Sequence, residues 1–267
     1  MLPTPDTSHV SFDTIYEPAE DSYLFLDTLS SPSESKWLTE RFQKANPMPL
    51  VVEAGTGSGV VLAFTAAQSQ EIFGRRDILT LGTDVNRNAC IATRETVSTA
   101  IKEQQGVQEN PADSRLHAVH ASSITSDLCS ALRPNSVDVL LFNPPYVPSE
   151  ELPRLPSAEE NDPVTAKAMS RSAKFENDSY FLSLTYAGGA DGMETTNRLL
   201  DDIPDILSPR GVAYVLLCKQ NRPDEVMDRV RNQGGWCAEI AGSSGKQAGW
   251  EKLVIVRIWR QDRPLKG

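Results

Sequence analysis

Short apolar runs alternate along most of the chain with longer stretches whose apolar positions return every three to four residues. The short runs span 50–54, 78–84, 116–120, 137–142, 212–218, 236–241 and 252–259, and most are bounded by Gly, Pro or Asn. Runs of this kind suit strands buried on both faces of a parallel sheet. The stretches 60–71, 89–103, 180–200 and 224–233 are helix-compatible. Strand and helix therefore follow one another in the βαβ rhythm of an α/β fold: seven strands, mostly parallel, with helices on both faces. No internal repeat and no second domain boundary interrupts it.

Two segments stand outside the rhythm. Residues 1–40 form a leader bearing Pro and Ser with an amphipathic stretch at 21–29, where Tyr23, Leu24 and Leu26 are expected to pack while Asp21 and Asp27 stay in water. Residues 149–178 are rich in Glu, Pro, Ser and Ala without a sustained apolar period, and read as a mobile insertion. Loops of that length often serve as lids or substrate collars. The chain thus divides into an extension over 1–40 and a main domain over 41–267.

Charge is concentrated in those two segments. The 267 residues carry 26 Lys and Arg against 36 Asp and Glu, a net charge of -10, which argues against a broad basic surface for nucleic acid. Residues 1–40 hold eight acids and one Lys, and residues 149–178 hold seven acids and four bases, so the rest of the chain balances at zero. An acidic rim that steers a basic protein surface toward the site is the expectation. No apolar run reaches the roughly 18–20 residues of a membrane span, and the first residues lack a signal pattern, so a cytoplasmic or nuclear location is expected. Cys90, Cys129, Cys218 and Cys237 are far apart with no metal-binding spacing and read as reduced thiols. His9, His117 and His120 read as surface or strand residues.

Three strand ends carry candidate chemistry. The first runs into Glu53-Ala54-Gly55-Thr56-Gly57-Ser58-Gly59, a turn whose glycines let a backbone approach a ligand closely. Position 60 is Val, so the dinucleotide fingerprint is incomplete, and Glu53 suits a cationic amino-acid ligand better than a diphosphate. The second ends in Asp84-Val85-Asn86, where a carboxylate can accept both hydroxyls of a ribose; a helix cap is the bland alternative. The fourth ends in Asn143-Pro144-Pro145-Tyr146. Two prolines lock φ and remove two donors, leaving the Asn143 amide oxygen and the Pro144 carbonyl as rigid acceptors for a planar NH2 group, with Tyr146 placed to stack on it. A rigid turn without ligand is the competing reading.

Together with Tyr16-Glu17-Pro18-Ala19-Glu20-Asp21-Ser22, these motifs resemble the HemK-like branch of the S-adenosylmethionine-dependent methyltransferases. The likeness is greatest to the eukaryotic enzymes that methylate the glutamine of the Gly-Gly-Gln motif in the class-one translation termination factor. Gly188-Gly189, 207–211 and Gln247-Ala248-Gly249 extend the match over nearly the whole chain. The resemblance implies a Rossmann-like class I methyltransferase domain with S-adenosylmethionine as cofactor. It assigns Tyr16, Pro18, Glu20, Ser22, Glu53, Gly55, Gly57, Gly59, Asp84, Val85 and Asn143 to the donor, so that the leader contributes to the donor site.

It also assigns Asn143, Pro144, Pro145 and Tyr146 to the substrate, and implies in-line transfer of a methyl group to the glutamine amide nitrogen. The family carries an Asp for the adenine amino group after the third strand. With that strand ending at His120, backbone atoms of Ala121 or Ser122 are expected to replace it. A small zinc-binding activator subunit, shared with tRNA methyltransferases and pairing with the sheet edge at the third strand, is the implied partner. An N6-adenine or lysine methyltransferase using the same pocket, and a donor-binding scaffold with little activity, remain alternatives.

Overall fold

The computed structural model describes residues 2–106, 116–162, 169–245 and 252–261, so Gln247-Ala248-Gly249 lies outside the described residues. The strands are β1 (Leu50–Ala54), β2 (Leu79–Asp84), β3 (Val119–Thr125), β4 (Val137–Phe142), β5 (Leu207–Cys218), β6 (Trp236–Ser243) and β7 (Leu253–Arg260). They form one sheet in the order β3-β2-β1-β4-β5-β7-β6. Neighbours run parallel except at β7, which is antiparallel to both β5 and β6.

Helices cover both faces. One side carries α1 (Glu20–Leu29), α2 (Pro32–Arg41), α3 (Val60–Ala67), α4 (Ser69–Phe73) and α5 (Arg87–Gln105). Val51, Leu141, Val212, Tyr214 and Leu216 point into that layer beside Phe25, Leu38, Phe64 and Val97. The alternate residues Val52, Leu140, Phe142, Ala213, Val215 and Leu217 meet Leu199, Ile203 and Val226, on α7 (Glu194–Ile206) and α8 (Pro223–Asn232). This period-two division of continuous apolar runs is what burial on both faces requires. Between β4 and α7 lies α6 (Arg171–Tyr186).

Four sequence expectations are corrected. The third strand begins at Val119 and runs to Thr125, five residues past the expected end. It is an edge strand whose first residue, Val119, is 42% exposed, and Leu116 ahead of it is 56% exposed, so apolar residues there do not mark burial. The expected helix over 60–71 breaks at Gln68 into α3 and α4. The helix expected over 180–200 is two helices: α6 starts inside the supposed insertion, capped where the Ser170 hydroxyl accepts from the Ala173 N–H, and ends before Gly188-Gly189. Gly189, at φ 71° and ψ −150°, occupies a region open essentially to glycine alone. In α1 Leu24 and Leu26 are buried and Asp27 exposed as expected, but two positions are reversed: Tyr23 is 46% exposed and Asp21 only 4%. The helix is packed against α3 on one side and β6 and β7 on another, so its wet face is narrow.

The leader is part of the core. The buried Glu34 of α2 accepts hydrogen bonds from the Tyr214 hydroxyl (2.9 Å) and from Arg257 of β7, whose guanidinium also bonds Glu239. Arg257 lies 4.1 Å from the ring centroid of Trp37 and 4.9 Å from that of Trp259. Burial and the Glu34 carboxylate hold the Tyr214 hydroxyl well above its usual titration range. Replacing Glu34 by Ala leaves Arg257 and Tyr214 buried without their shared acceptor. A loss of about 3–5 kcal/mol in folding stability is expected, read as a lowered denaturant midpoint; an unchanged midpoint would contradict it.

Candidate active site

The chain leaves β1 toward β2 on one side and leaves β4 toward β5 on the other, although β1 and β4 are hydrogen-bonded neighbours. Their following loops therefore diverge, and a crevice opens at the carboxyl ends of the strands, the position where open α/β sheets bind ligands. A cavity of ≈ 280 Å³ occupies it.

The turn after β1 has three left-handed glycines in five residues: Gly55, Gly57 and Gly59, at φ 64°, 52° and 79°. Their roles differ. A Cβ on Gly59 would meet the Thr93 backbone at 2.7 Å, so this glycine seats α3 against α5 and does not line the cavity. A Cβ on Gly57 would meet nothing within 4 Å, and its N–H donates to Asp84 Oδ2 at 2.9 Å.

Glu53 and Asp84 line the cavity near the ends of β1 and β2. Glu53, 3% exposed, accepts from the Leu62 N–H at 3.0 Å; burial, with the Asp84 charge adding to it, pushes its carboxyl well above the usual range. Asp84 accepts from the N–H groups of Gly57 and Asn86 (2.8 Å for the latter), and burial still pushes its carboxyl up to about 6. Asp84 does not cap α5. Asn86 does, accepting from the Asn88 N–H at 2.9 Å, while its amide donates to the Thr14 carbonyl at 2.8 Å and ties the leader to the site. Among the described residues neither carboxylate has an ion-pair partner.

Beyond β4, Asn143, Pro144, Pro145 and Tyr146 all line the cavity. Among the described residues the Asn143 Oδ1 is buried with no hydrogen-bond partner, and the Tyr146 hydroxyl lies 3.5 Å from Asp21 Oδ2. Of the other residues assigned from sequence, Tyr16, Ser22, Glu53, Gly55, Gly57, Asp84 and Val85 line the cavity. Pro18 and Glu20 do not: Pro18 precedes α1 and Glu20 opens it with an exposed side chain. Ala121 and Ser122 lie within β3 and do not reach the cavity, which is lined instead by Ser126, Asp127 and Leu128. Asp127, two residues past the true end of β3, thus stands where the resemblance leads one to expect an Asp, and it is ion-paired with Arg198. Placing the strand end five residues later would have found it. Thr14 and Ile15, outside every motif, also line the cavity, as do Asp21 and Thr56, which stood within motifs but were assigned no role.

Glu53 and Asp84, buried without a countercharge among the described residues, and an open glycine cradle fit one kind of ligand: a cation with ribose hydroxyls. S-Adenosylmethionine, with its sulfonium, ammonium and ribose, matches that donor set. Glu53 would hold the cationic methionine portion, Asp84 the ribose hydroxyls, and Asp127 the adenine side. The fold and site define a class I S-adenosylmethionine-dependent methyltransferase.

Comparison with known proteins narrows the class. No family model matches the chain. It is 31% identical to methyltransferase HEMK2 of Mus musculus, over 96% of each protein. It is 30% identical to the eRF1 methyltransferase catalytic subunit mtq2 of Schizosaccharomyces pombe, over 97% of this chain and 96% of that one. The solved Mtq2–Trm112 complex of E. cuniculi contains a chain that shares the fold, with a TM-score of 0.51 and 22% identity over 93% of this chain and 99% of that one. The chain belongs to the HEMK2 and Mtq2 family of methyltransferases.

The raised carboxyl of Asp84 gives a pH signature. Because its folded pKa lies above the unfolded one, ionisation of the ligand-free fold costs stability as pH rises from about 4 to about 6. Hydroxyl donors favour the ionised form, so the part of the donor affinity that depends on Asp84 rises with pH and levels off above about 6. In calorimetric titrations Asp84→Asn should bind more weakly and lack the inflection near that pH. An unchanged pH profile in this variant would remove the assignment.

Proposed function

We propose that this chain is the catalytic subunit that methylates the side-chain amide nitrogen of the glutamine in the Gly-Gly-Gln motif of the class-one translation termination factor. The observation that carries the reading is the buried, unpartnered Asn143 Oδ1 beside Pro144 in the cavity wall. An acceptor left unmade in a buried place costs about 1–3 kcal/mol, and a planar NH2 group entering the cavity relieves it. The S. pombe relative is named for eRF1, and a Methanocaldococcus jannaschii relative, 25% identical over 92% of the chain, is named as a putative protein N5-glutamine methyltransferase.

An amide nitrogen is a poor nucleophile because its lone pair is delocalised. The Asn143 amide oxygen and the Pro144 carbonyl accept its two hydrogens, which raises electron density on nitrogen and fixes its direction. Tyr146 supports the amide plane. When bound, the donor supplies a methyl group on a positively charged sulfur. No histidine lines the cavity among the described residues, and His120 lies on β3 with its imidazole held down to about 4 by burial and by Arg94. The amide proton is left to water, so positioning is the chain's main contribution.

Adenine offers the same planar NH2, but the exposed acids of the leader and of residues 150–151 repel a phosphate backbone. Asp21 and Glu34 are buried and do not contribute to that rim. A lysine ammonium must first lose a proton, whereas the NH2 of a planar amide enters already neutral. The partner belongs to this proposal as well: a small zinc-binding activator, of the kind that also serves tRNA methyltransferases, covers the free edge of β3. Support comes from the exposed edge position of Val119 and from the solved Mtq2–Trm112 complex.

Mass spectrometry of the termination factor, incubated with donor, chain and activator, should find one methyl group on the Gly-Gly-Gln glutamine. Asn143→Ala should lower kcat by about 100- to 1000-fold while donor binding stays within about tenfold. Methyl on another group, or near-normal turnover by that variant, overturns the reading. Expressed alone, the chain should be poorly soluble and inactive, with both properties restored by the activator. A stable, active monomer would remove the partner from the proposal.

A further inference from the structure

One end of the Asn-Pro-Pro-Tyr segment is held by β4. The other end is held by a residue that no motif pointed to. Asn221 lies at the end of the short turn after β5 and is 2% exposed. Its Oδ1 accepts from the Cys218 N–H at 2.8 Å, which fixes the orientation of the amide. Its Nδ2 then faces three carbonyls, those of Asp191 (3.0 Å), Tyr146 (3.3 Å) and Gly192 (3.4 Å). Two hydrogens shared among three carbonyls draw the Tyr146 backbone, the loop after α6 and the end of β5 to one point.

Glycine backbone of the loop after α6 packs closely against the same segment. A Cβ on Gly192 would come within 2.0 Å of the Tyr146 carbonyl oxygen, and one on Gly188 within 2.4 Å of the Pro145 oxygen. The Val147 N–H donates to the Tyr186 carbonyl at 2.9 Å, and the Gly188 N–H donates to the Val147 carbonyl at 2.8 Å. Between the two anchors, Pro144 and Pro145 have fixed φ and restrict ψ of the residues before them. With so few free torsions, the position of the Tyr146 carbonyl determines where the Pro144 carbonyl and the Asn143 amide point.

We propose that Asn221 is a positioning residue for methyl transfer: its bond to the Tyr146 carbonyl aims the Asn143 and Pro144 acceptors at the substrate NH2 group. The inference rests on the proposed role of those acceptors. It predicts an effect on the chemical step that is separate from donor binding, because Asn221 does not line the cavity.

The test uses the chain with its activator, saturating donor and substrate, and temperatures well below each variant's unfolding midpoint. Asn221→Ala should lower kcat by about 100-fold, the scale of a misplacement of an ångström, with the donor Kd within about threefold. Asn221→Asp keeps the shape and the acceptor for the Cys218 N–H but turns a carboxylate oxygen toward three carbonyls. Its kcat relative to the wild type should be lowest at high pH and should recover as the pH falls and the introduced carboxyl gains a proton to donate. A general packing role would give a deficit independent of pH. That result, a wild-type kcat in Asn221→Ala or at high pH in Asn221→Asp, or a loss of donor binding in step with kcat would overturn the inference. If Asn221→Ala does not fold, the pH-dependent ratio for Asn221→Asp decides. Absence of methyl on glutamine in the wild type counts against the proposed function alone, because the ratio can be read on whichever NH2 substrate the wild type methylates.

Discussion

Everything at the site depends on β1 and β4 lying side by side while the chain leaves them in opposite directions. Hydrogen bonding between the two strands holds Ala54 opposite Phe142, so the glycine turn and the Asn-Pro-Pro-Tyr segment start from the same level of the sheet. Divergence of their connections then keeps backbone out of the space between them. A donor-binding loop and a substrate-binding loop are brought together without either having to reach across the sheet. The right-handed crossovers of parallel strands give this arrangement as a matter of topology.

The cavity is built from groups that cost the fold something. Glu53 and Asp84 are held where burial disfavours their charges, and Asn143 keeps an acceptor without a donor. None of these would be chosen for stability alone. In the proposed reading each is made good by one feature of the incoming molecules: a cation, a pair of hydroxyls, a planar NH2. Stability comes from elsewhere, from apolar strands covered on both faces and from the Glu34, Tyr214 and Arg257 cluster that fixes the leader to the sheet. Because that leader also supplies Tyr16, Asp21 and Ser22 to the cavity wall, its anchoring positions the donor site as well as the fold.

Much of this was legible in the chain. Continuous apolar runs ending in Gly, Asp or Asn-Pro-Pro carry both strand and site signals, since a parallel strand buried on both faces must be apolar and its carboxyl end must carry the chemistry. That logic singled out Glu53, Gly57, Asp84 and Asn143, all of which line the cavity. It failed at β3, where one edge is open and an alternation of exposed and half-buried residues blurs the pattern. The slip hid Asp127 and put Ala121 and Ser122 in its place. It failed again at α1, because a helix packed on two sides has no simple amphipathic stripe, and at 171–186, where a helix with one fully buried residue has almost no apolar period.

The amino-acid sequence by itself determined the class of fold, the order of its elements and the chemical types gathered at the strand ends, because those follow from local periodicity and from what each side chain can donate, accept or lock. Only the tertiary structure decided that Gly59 packs while Gly57 stays open, that Asp21 faces the cavity, that Glu34 is a buried counterion and that Asn221 holds the Tyr146 carbonyl. Those roles arise between residues tens to hundreds of positions apart. No local pattern encodes them, because the free energy of a buried charge or an amide depends on which distant group the fold brings within reach.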